Sequence, residues 1–270
     1  MTWLDAFLLG VLEGLTELLP VSSTGHLILL GAWLGHEDEA AKTLEIVIQL
    51  GAVLAVVVYY RVRLQALLRG LARWDPTSVR LALALAVAFL PAALLGLAFH
   101  KVIKARLFGP GPVAIALIVG GVLMIGVEAA RKRRPAPALG RIEDVTLTRA
   151  LTIGLAQCFA LWPGASRSMT SIVGGQLSGL GPGGAAEFSF LLAIPTLGAA
   201  TAFDMAKNGR ALLEMPGGLV ALAVGLVTSF VVALAVIAGF LRYLKRFGLA
   251  PFGWYRVALG AVVLALTARG

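Results

Sequence analysis

Two glutamates near the start of the chain are the first residues whose types and spacing suggest chemistry. Glu13 and Glu17 lie four positions apart in apolar sequence, so a helix would place both carboxylates on one face. Adjacent carboxylates in a low-dielectric site repel each other unless they share a proton, bind a cation or meet a positive group. An interfacial pair facing water is the alternative. Because charged groups within apolar spans are costly, we favour a functional role.

A proline and a run of hydroxyl groups follow. Pro20 should end the first helix, and Ser22 or Ser23 can cap a second one in the stretch VSSTGH. The free N–H groups and the positive dipole at such a helix start favour anions. His26 follows Ser23 by three residues on the same side, a spacing that suits an activated serine nucleophile. A capping serine and a structural histidine are the alternative.

A second break, in the stretch WPGASRSMTS, carries an arginine. Its Pro-Gly pair interrupts an apolar segment, and Ser166, Arg167 and Ser168 open the next helix. An arginine inside a membrane is costly unless it meets an anion, and its planar donors suit a phosphate. A structural ion pair with one of the two glutamates is the alternative, and such a pair could open when phosphate arrives.

Together these residues predict a site for a phosphate or diphosphate carried by a lipid. Two helix starts and an arginine would bind the anion, and the carboxylates could hold a divalent cation that bridges the phosphates. The hydroxyl–histidine pair could attack phosphorus. Three further polar residues, Glu45, Gln49 and Glu187, could support this site or serve only in helix packing.

The composition places the site in a membrane protein. The 270 residues are 59% apolar and 14% charged, with a mean hydropathy of +0.90, whereas soluble domains are about a quarter charged. The net charge of +9 lies in short loops beside apolar runs, where it sets topology and meets anionic lipid, so nucleic acid is not an expected partner. With Cys158 as the single cysteine, no internal disulfide can form.

Six apolar stretches are long enough to cross a bilayer, which takes about 20 residues. They cover residues 40–60, 79–99, 111–130, 184–205, 217–241 and 252–268. Residues 2–35 and 147–180 are instead broken into halves too short to span. Interrupted segments at matching places in two halves are typical of inverted-repeat membrane proteins. We therefore predict an all-α integral membrane protein with an inverted-topology repeat, about six transmembrane helices and two re-entrant helical hairpins.

The two halves of the sequence also resemble each other. GVLEGLTELLPVSS (10–23) parallels GLAQCFALWPGAS (154–166), and KTLEIVIQLGA (42–52) parallels GAAEFSFLLAI (184–194). Polar landmarks recur in the same order in both pairs. The prediction is a single membrane domain, residues 1–270, with one repeat at about 1–130 and the other at about 140–270.

Loop charges predict the orientation. If each hairpin returns to its own side, loops 61–78, 131–149 and 242–251 share one face and carry most of the basic residues. Such loops face the cytoplasm, so both termini lie outside, and the two hairpins enter from opposite faces with tips that can meet near the midplane. The basic stretch 61–75 is either an interfacial segment or a plain charged loop.

These motifs resemble those of the bacterial undecaprenyl-diphosphate phosphatase family, known as UppP or BacA. LEGLTELLPVSSTGH (12–26) resembles the family's glutamate-rich first motif, and PGASRSMTS (163–171) resembles its second. EIVIQLGAVLAVVVYY (45–60) and AAEFSFLLAIP (185–195) match as well, so the resemblance covers essentially the whole chain. One position departs from the family: Ser171 stands where threonine is usual, directly after Thr170.

The resemblance implies hydrolysis of undecaprenyl diphosphate to undecaprenyl phosphate and inorganic phosphate, which recycles the lipid carrier of peptidoglycan synthesis and confers bacitracin resistance. It also implies a divalent cation, Mg²⁺ or Ca²⁺, and a site facing the outer side of the bacterial plasma (inner) membrane. The implied catalytic residues are Glu13, Glu17, Ser23, His26 and Arg167, with Glu13 and Glu17 as metal ligands. The implied phosphate-binding residues are Ser22, Ser166, Arg167, Ser168, Thr170 and Ser171.

Three routes to this reaction stay open at the level of sequence. Ser23 could attack phosphorus with His26 as general base, His26 could attack directly, or Glu17 could activate a water. A flippase that moves the lipid phosphate is the rival function, because paired re-entrant hairpins are common in transporters. A transporter needs no nucleophile, so the serine–histidine pair favours the enzyme. The expected partners are a polyprenyl diphosphate and membrane lipid, and a homodimer is left open.

Overall fold

The protein is helical throughout the residues that this computed structural model describes, which are 2–36, 38–107, 109–133 and 141–267. The helices of this part of the chain are α1 (Trp3–Thr16), α2 (Ser23–Trp33), α3 (Glu39–Val47), α4 (Gln49–Tyr59), α5 (Arg61–Ala72), α6 (Pro76–Leu107), α7 (Pro110–Lys132), α8 (Leu147–Cys158), α9 (Arg167–Leu177), α10 (Pro182–Glu214), α11 (Gly218–Phe247) and α12 (Ala250–Thr267). Short 3₁₀ turns at Ile142–Asp144 and Phe159–Leu161 flank α8.

Six helical segments of the described chain are long and apolar enough to cross a membrane. They are Glu39–Tyr59, Pro76–Phe99, Pro110–Lys132, Pro182–Glu214, Gly218–Phe247 and Ala250–Thr267. The six predicted spans are thus confirmed, and the chain is a multi-pass membrane protein. The first span consists of α3 and α4, which meet at Ile48. The basic stretch that follows forms the helix α5, none of whose residues is buried.

The first broken segment folds as two helices joined at a tip. Thr2 starts α1 by accepting from the Asp5 N–H at 3.2 Å, while the Asp5 carboxylate accepts from the Thr2 N–H at 2.8 Å. The helix ends at Thr16, four residues before Pro20, which disfavours helical backbone at the residue before it. Ser22 then starts α2 with a left-handed backbone, φ 74°, and its hydroxyl accepts from the Gly25 N–H at 3.3 Å.

The second broken segment repeats this arrangement. The N-cap of α8 is Thr146, and α9 begins after Ser166, whose φ is also positive, 73°. The Ser166 hydroxyl accepts from the Met169 N–H at 3.2 Å. Gly164 forms the tip with a φ of 95°, and a Cβ there would lie 2.5 Å from the Val113 carbonyl oxygen of α7. Both breaks therefore lie where the sequence places them, whereas re-entry into the membrane stays a prediction.

Glycines let the first helix of each hairpin pack closely on a long helix. A Cβ on Gly10 of α1 would lie 2.7 Å from the Gly225 carbonyl oxygen of α11, and one on Gly154 of α8 would lie 2.6 Å from the Ala88 carbonyl oxygen of α6. Small residues permit such close backbone approach between membrane helices. Each hairpin thus packs on a helix from the other half of the chain. This exchange is compatible with an inverted repeat, which stays a prediction.

The orientation in the membrane also stays a prediction. Arg134 and Arg269, which contribute to the loop charges, lie outside the described residues, as do the rest of residues 134–140 and the final position of the predicted span 252–268. The side chains of Lys101 and Lys104 are not described either.

Candidate active site

The tips of the two hairpins touch. The Ser168 hydroxyl at the start of α9 donates to the Leu19 carbonyl oxygen of the first tip at 2.7 Å. Beside this contact, Arg167 Nη2 lies 3.3 Å from Glu17 Oε1, and both side chains are buried. Residues 150 positions apart in sequence therefore form one buried site. The ion pair that the sequence offered as an alternative to phosphate binding is present.

Glu17 also binds the predicted nucleophile. The Ser23 hydroxyl donates a hydrogen bond to Glu17 Oε2, while Oε1 faces Arg167. A carboxylate in this position can take the serine proton as a general base. The structure therefore corrects the expected pairing, because Glu17 and not His26 is the hydrogen-bond partner of Ser23.

His26 is held away from Ser23 by two other groups. Its Nδ1 lies 2.7 Å from the Ser22 carbonyl oxygen, and its Nε2 lies 2.6 Å from the Tyr255 hydroxyl. A carbonyl oxygen only accepts, so Nδ1 carries a proton, and Nε2 of the neutral ring accepts from Tyr255. The two rings are also stacked, with centroids 5.7 Å apart. Sequence reasoning missed Tyr255, since a tyrosine near a helix end is typical of a membrane interface.

Arg167 is oriented by a serine on α10. Its Nη1 donates to the Ser189 carbonyl oxygen at 3.0 Å, and its buried Nε has no hydrogen-bond partner. The Ser189 and Ser171 hydroxyls lie 2.6 Å apart. The guanidinium is thus fixed in place and keeps a donor for an anion. Sequence reasoning missed Ser189, because one serine in a long apolar helix carries no distinct signal.

The remaining predicted phosphate-binding hydroxyls shape the tips. Ser22 and Ser166 cap α2 and α9, as described above. Thr170 and Ser171 both donate to the Arg167 carbonyl oxygen, at 3.0 and 2.7 Å. These contacts satisfy backbone groups of the two helix starts and hold Arg167 toward the carboxylates.

Glu13 is fully buried one helical turn before Glu17, and neither of its carboxylate oxygens has a hydrogen-bond partner. Burial of an unpaired carboxylate is costly, so Glu13 needs a proton or a cation. The described residues contain no group of three or more acidic, histidine or cysteine side chains that would hold a metal unaided. Mg²⁺, however, binds through one or two carboxylates, water and substrate phosphates. The donor set of Glu13 and Glu17 fits such an ion.

Comparison with known proteins identifies the family of this chain. The profile of the family described as "Bacitracin resistance protein BacA" matches residues 6–262. The chain belongs to the BacA family. A relative from Sorangium cellulosum, named undecaprenyl-diphosphatase, is 77% identical over 266 residues, which are 98% of this chain and 87% of the relative. Undecaprenyl-diphosphatase 2 of Rhodospirillum rubrum is 50% identical, with coverage of 99% and 96%. Undecaprenyl-diphosphatase of Nitrosomonas eutropha is 48% identical, with coverage of 100% and 97%.

The names of these BacA relatives describe a diphosphatase, and none of the three refers to lipid transport. The flippase alternative therefore gains no support from the comparison.

Sequence reasoning did not predict a second buried arginine of this BacA chain. Arg256 of α12 is fully buried and forms no ion pair with another described residue. It donates to the Pro20 carbonyl oxygen at 3.2 Å and to the Gly164 carbonyl oxygen at 2.8 Å, and further bonds reach carbonyl groups of Ala116 and Leu117 in α7. The rule that singled out Arg167, that an arginine within an apolar span is costly, applies equally to Arg256.

Glu187 belongs to a different cluster from the tips. Its Oε1 lies 2.7 Å from Arg63 Nε, and Arg63 Nη2 lies 2.6 Å from Glu143 Oε1. These ion pairs join α5 to α10 and to the turn before α8. Of the two roles considered for Glu187, the structure favours the structural one.

Proposed function

We propose that this protein hydrolyses undecaprenyl diphosphate to undecaprenyl phosphate and inorganic phosphate. The observation that carries the proposal is the row of contacts from Ser23 to Glu17 to Arg167 where the hairpin tips meet. In this proposal Ser23 is the nucleophile, Glu17 the base and Arg167 the phosphate-binding group, and all three lie in one buried site. The names of the relatives support the same reaction. Hydrolysis would recycle the lipid carrier of peptidoglycan synthesis and so confer bacitracin resistance.

The diphosphate would bind at Arg167 and at the starts of α2 and α9. Both helices begin at the tips, where free N–H groups and the positive ends of the dipoles favour an anion. The contact of Arg167 with Glu17 uses one nitrogen at 3.3 Å, which is longer than a strong charge-assisted hydrogen bond. A diphosphate can therefore compete for the guanidinium, and its binding would free Glu17 Oε1.

In the chemical step, Ser23 would attack the terminal phosphorus while Glu17 takes the serine proton. A bond forms between Ser23 Oγ and phosphorus, and the bond from phosphorus to the bridging oxygen breaks, so undecaprenyl phosphate leaves with the electron pair. Water then hydrolyses the phosphoserine and releases inorganic phosphate. Direct attack by His26 through Nε2 would first require that nitrogen to lose its hydrogen bond from Tyr255.

Glu13 and Glu17 would hold the divalent cation, Mg²⁺ or Ca²⁺. When bound, such an ion neutralises charge on the phosphate oxygens. The support is the pair of unpartnered oxygens on Glu13, which need a positive group when ionised. Glu13 would thus bind the ion chiefly, because Glu17 is already engaged with Ser23 and Arg167.

The proposed location is the bacterial plasma (inner) membrane, with the site facing the outer side. The support is the excess of positive charge in the loops assigned to the cytoplasm, which puts the entrance of the first hairpin outside. The polyprenyl diphosphate would then reach the site from the surrounding lipid.

Phosphate release from undecaprenyl diphosphate by purified protein in detergent, with and without a chelator, tests this proposal. We expect release that the chelator abolishes and that Mg²⁺ or Ca²⁺ restores. Release that ignores the chelator would remove the cation from the mechanism, whereas no release from folded protein would contradict the function.

Trapping the phosphorylated protein identifies the nucleophile. Turnover quenched in acid should leave labelled phosphate on the wild type and none on Ser23→Ala, because phosphoserine survives acid and phosphohistidine does not. Label that appears only under alkaline quench and disappears in His26→Ala would assign the attack to His26 instead.

A further inference from the structure

An apolar groove of about 340 Å³ runs from the first hairpin tip along α11 and α12. Its lining residues are Leu19, Val236, Gly239, Phe240, Tyr243 and Phe252. Four of them lie on α11 at positions i, i+3, i+4 and i+7, which is one face of a helix. The groove therefore follows the axis of α11 in the membrane.

Gly239 creates the depth of this groove. A Cβ built on Gly239 would meet no atom within 4 Å, so the space beside it is open. Aromatic side chains form the walls: Phe252 packs edge-on against Phe240 and Tyr243, with ring centroids 5.5 and 5.3 Å apart. These flat, polarisable surfaces suit a flexible unsaturated hydrocarbon.

The groove borders the candidate active site at Leu19. Leu19 lines the groove, and its carbonyl oxygen accepts from Ser168 at the contact of the two tips. Glu17 lies two positions before Leu19 in the same tip. A lipid whose phosphates lie at Glu17 and Arg167 would therefore have this groove as an apolar path leading away from its headgroup.

We propose that this groove binds the polyprenyl chain of the substrate, an inference that rests on the proposed function. The chain of undecaprenyl diphosphate is far longer than the acyl chains of ordinary lipids, so its contacts can supply selectivity that the diphosphate cannot. Binding energy from such a remote part of a substrate can be used to position the reacting group. A short-chain diphosphate would bind at the tips and leave most of the groove to other lipid.

A second groove of similar size provides a matched control. It measures about 360 Å³ and lies between α7 and α9, with Gly126 in its wall. A Cβ on Gly126 would also meet no atom within 4 Å. None of the residues that line this second groove belongs to the tips. Gly126→Leu therefore fills a lipid-facing groove of similar size beside a long helix, and it does not block the path that leads away from Glu17.

The test compares Gly239→Leu and Gly126→Leu on two substrates, undecaprenyl diphosphate and dimethylallyl diphosphate, whose five-carbon chain is too short to fill the groove. We expect Gly239→Leu to lower kcat/KM for the long substrate by about tenfold or more, as a filled apolar pocket does, with the value for the short substrate little changed. Gly126→Leu should change neither value. Gly239→Ala, which adds one carbon, should give a smaller loss in the same direction.

Three results would overturn the assignment of the groove. They are a Gly239→Leu enzyme with normal activity on both substrates, one with equal losses on both, and a loss of equal size in Gly126→Leu. The first would mean that the groove holds only bulk lipid, and the second that the substitution disturbs the tip. Wild-type protein that releases no phosphate from either substrate would instead refute the proposed function. Thermal melting of both variants shows that each folds.

Discussion

Arg256 and Pro20 are 236 positions apart in sequence, yet Arg256 Nη1 donates to the Pro20 carbonyl oxygen at 3.2 Å. Nη2 of the same guanidinium donates to the Gly164 carbonyl oxygen at 2.8 Å. Backbone groups released where a helix breaks in a membrane need partners from the protein. A single buried side chain supplies donors to both breaks, so it fixes the position of one tip relative to the other.

Arg256→Lys should lower kcat by about 10- to 100-fold, because small misplacement of reacting groups has effects of this size. Lysine keeps the charge, but its point-like ammonium cannot reproduce the fork that spans the two carbonyl groups. We expect KM to change little and the melting temperature to fall, since an unpaired buried polar group costs about 1–3 kcal/mol. The kinetic constants and thermal melting check this. A lower melting temperature with normal kcat would show that Arg256 only stabilises the fold.

Ser23→Ala and Glu17→Gln should each reduce kcat by about 10²-fold or more, since one loses the nucleophile and the other the base that activates it. The two residues form one hydrogen-bonded unit, so the double variant should be about as active as the weaker single variant. Phosphate release by the four proteins measures the coupling.

Glu214→Gln is the control for this pair of variants, because it removes a carboxylate from an exposed ion pair with Arg210. Its activity should match the wild type. Losses that multiply in the Ser23→Ala/Glu17→Gln variant would mean that the two residues act in separate steps.

The sequence predicts the helices of this protein well because the membrane sets simple requirements. A span needs a sufficient run of apolar residues, and a break is favoured where a proline is followed by serine and glycine residues, as after Pro20 and Pro163. Pro91 and Pro195, which lack such a sequence after them, lie within the continuous helices α6 and α10. The length and placement of the six spans and the two breaks follow from these rules. These rules do not predict that the first span is divided at Ile48, because the residues of α3 and α4 on either side are equally compatible with one continuous helix.

The site was only partly predictable, because its pairing depends on side-chain direction. Spacing along one helix favours a contact between Ser23 and His26, but Ser22 at φ 74° sets how α2 begins, and the tip returns Glu17 to Ser23. Tyr255 reaches His26 from α12, and sequence periodicity carries no information about that packing. Arg167 was found because charge inside an apolar segment is a signal that does not depend on the fold.

Glu13→Gln should abolish the response to divalent cations while leaving the protein folded. The two carboxylate oxygens have no hydrogen-bond partner when ionised, so an amide of the same shape breaks no hydrogen bond of the ionised group. It does remove the negative charge that a cation needs. Phosphate release as a function of Mg²⁺ concentration and the melting temperature are the measurements. A Glu13→Gln enzyme with normal activity and normal Mg²⁺ dependence would show that Glu13 is not a ligand.

Glu143 should make stability depend on acid pH through its ion pairs outside the membrane spans. Burial alone would raise its pKa, but a backbone hydrogen bond and the charges of Arg63 and Arg141 hold the pKa of Glu143 below its usual value. A carboxyl group with a lowered folded-state pKa stabilises the protein above the unfolded pKa, about 4.3, and this contribution is lost as pH falls through the folded pKa.

The melting temperature of wild type should therefore exceed that of Glu143→Gln at pH 7, and the difference should shrink as pH falls below about 4.3. Arg63 Nη2 lies 2.6 Å from Glu143 Oε1. Arg63→Gln should therefore lose most of the stability at pH 7 that wild type has over Glu143→Gln. Scanning calorimetry of the three proteins in one detergent, from pH 7 to below about 4.3, measures these melting temperatures. Glu214→Gln is the control for an exposed carboxylate. A difference that stays constant with pH would assign the role of Glu143 to packing, because charge is the only part of the contact that titrates.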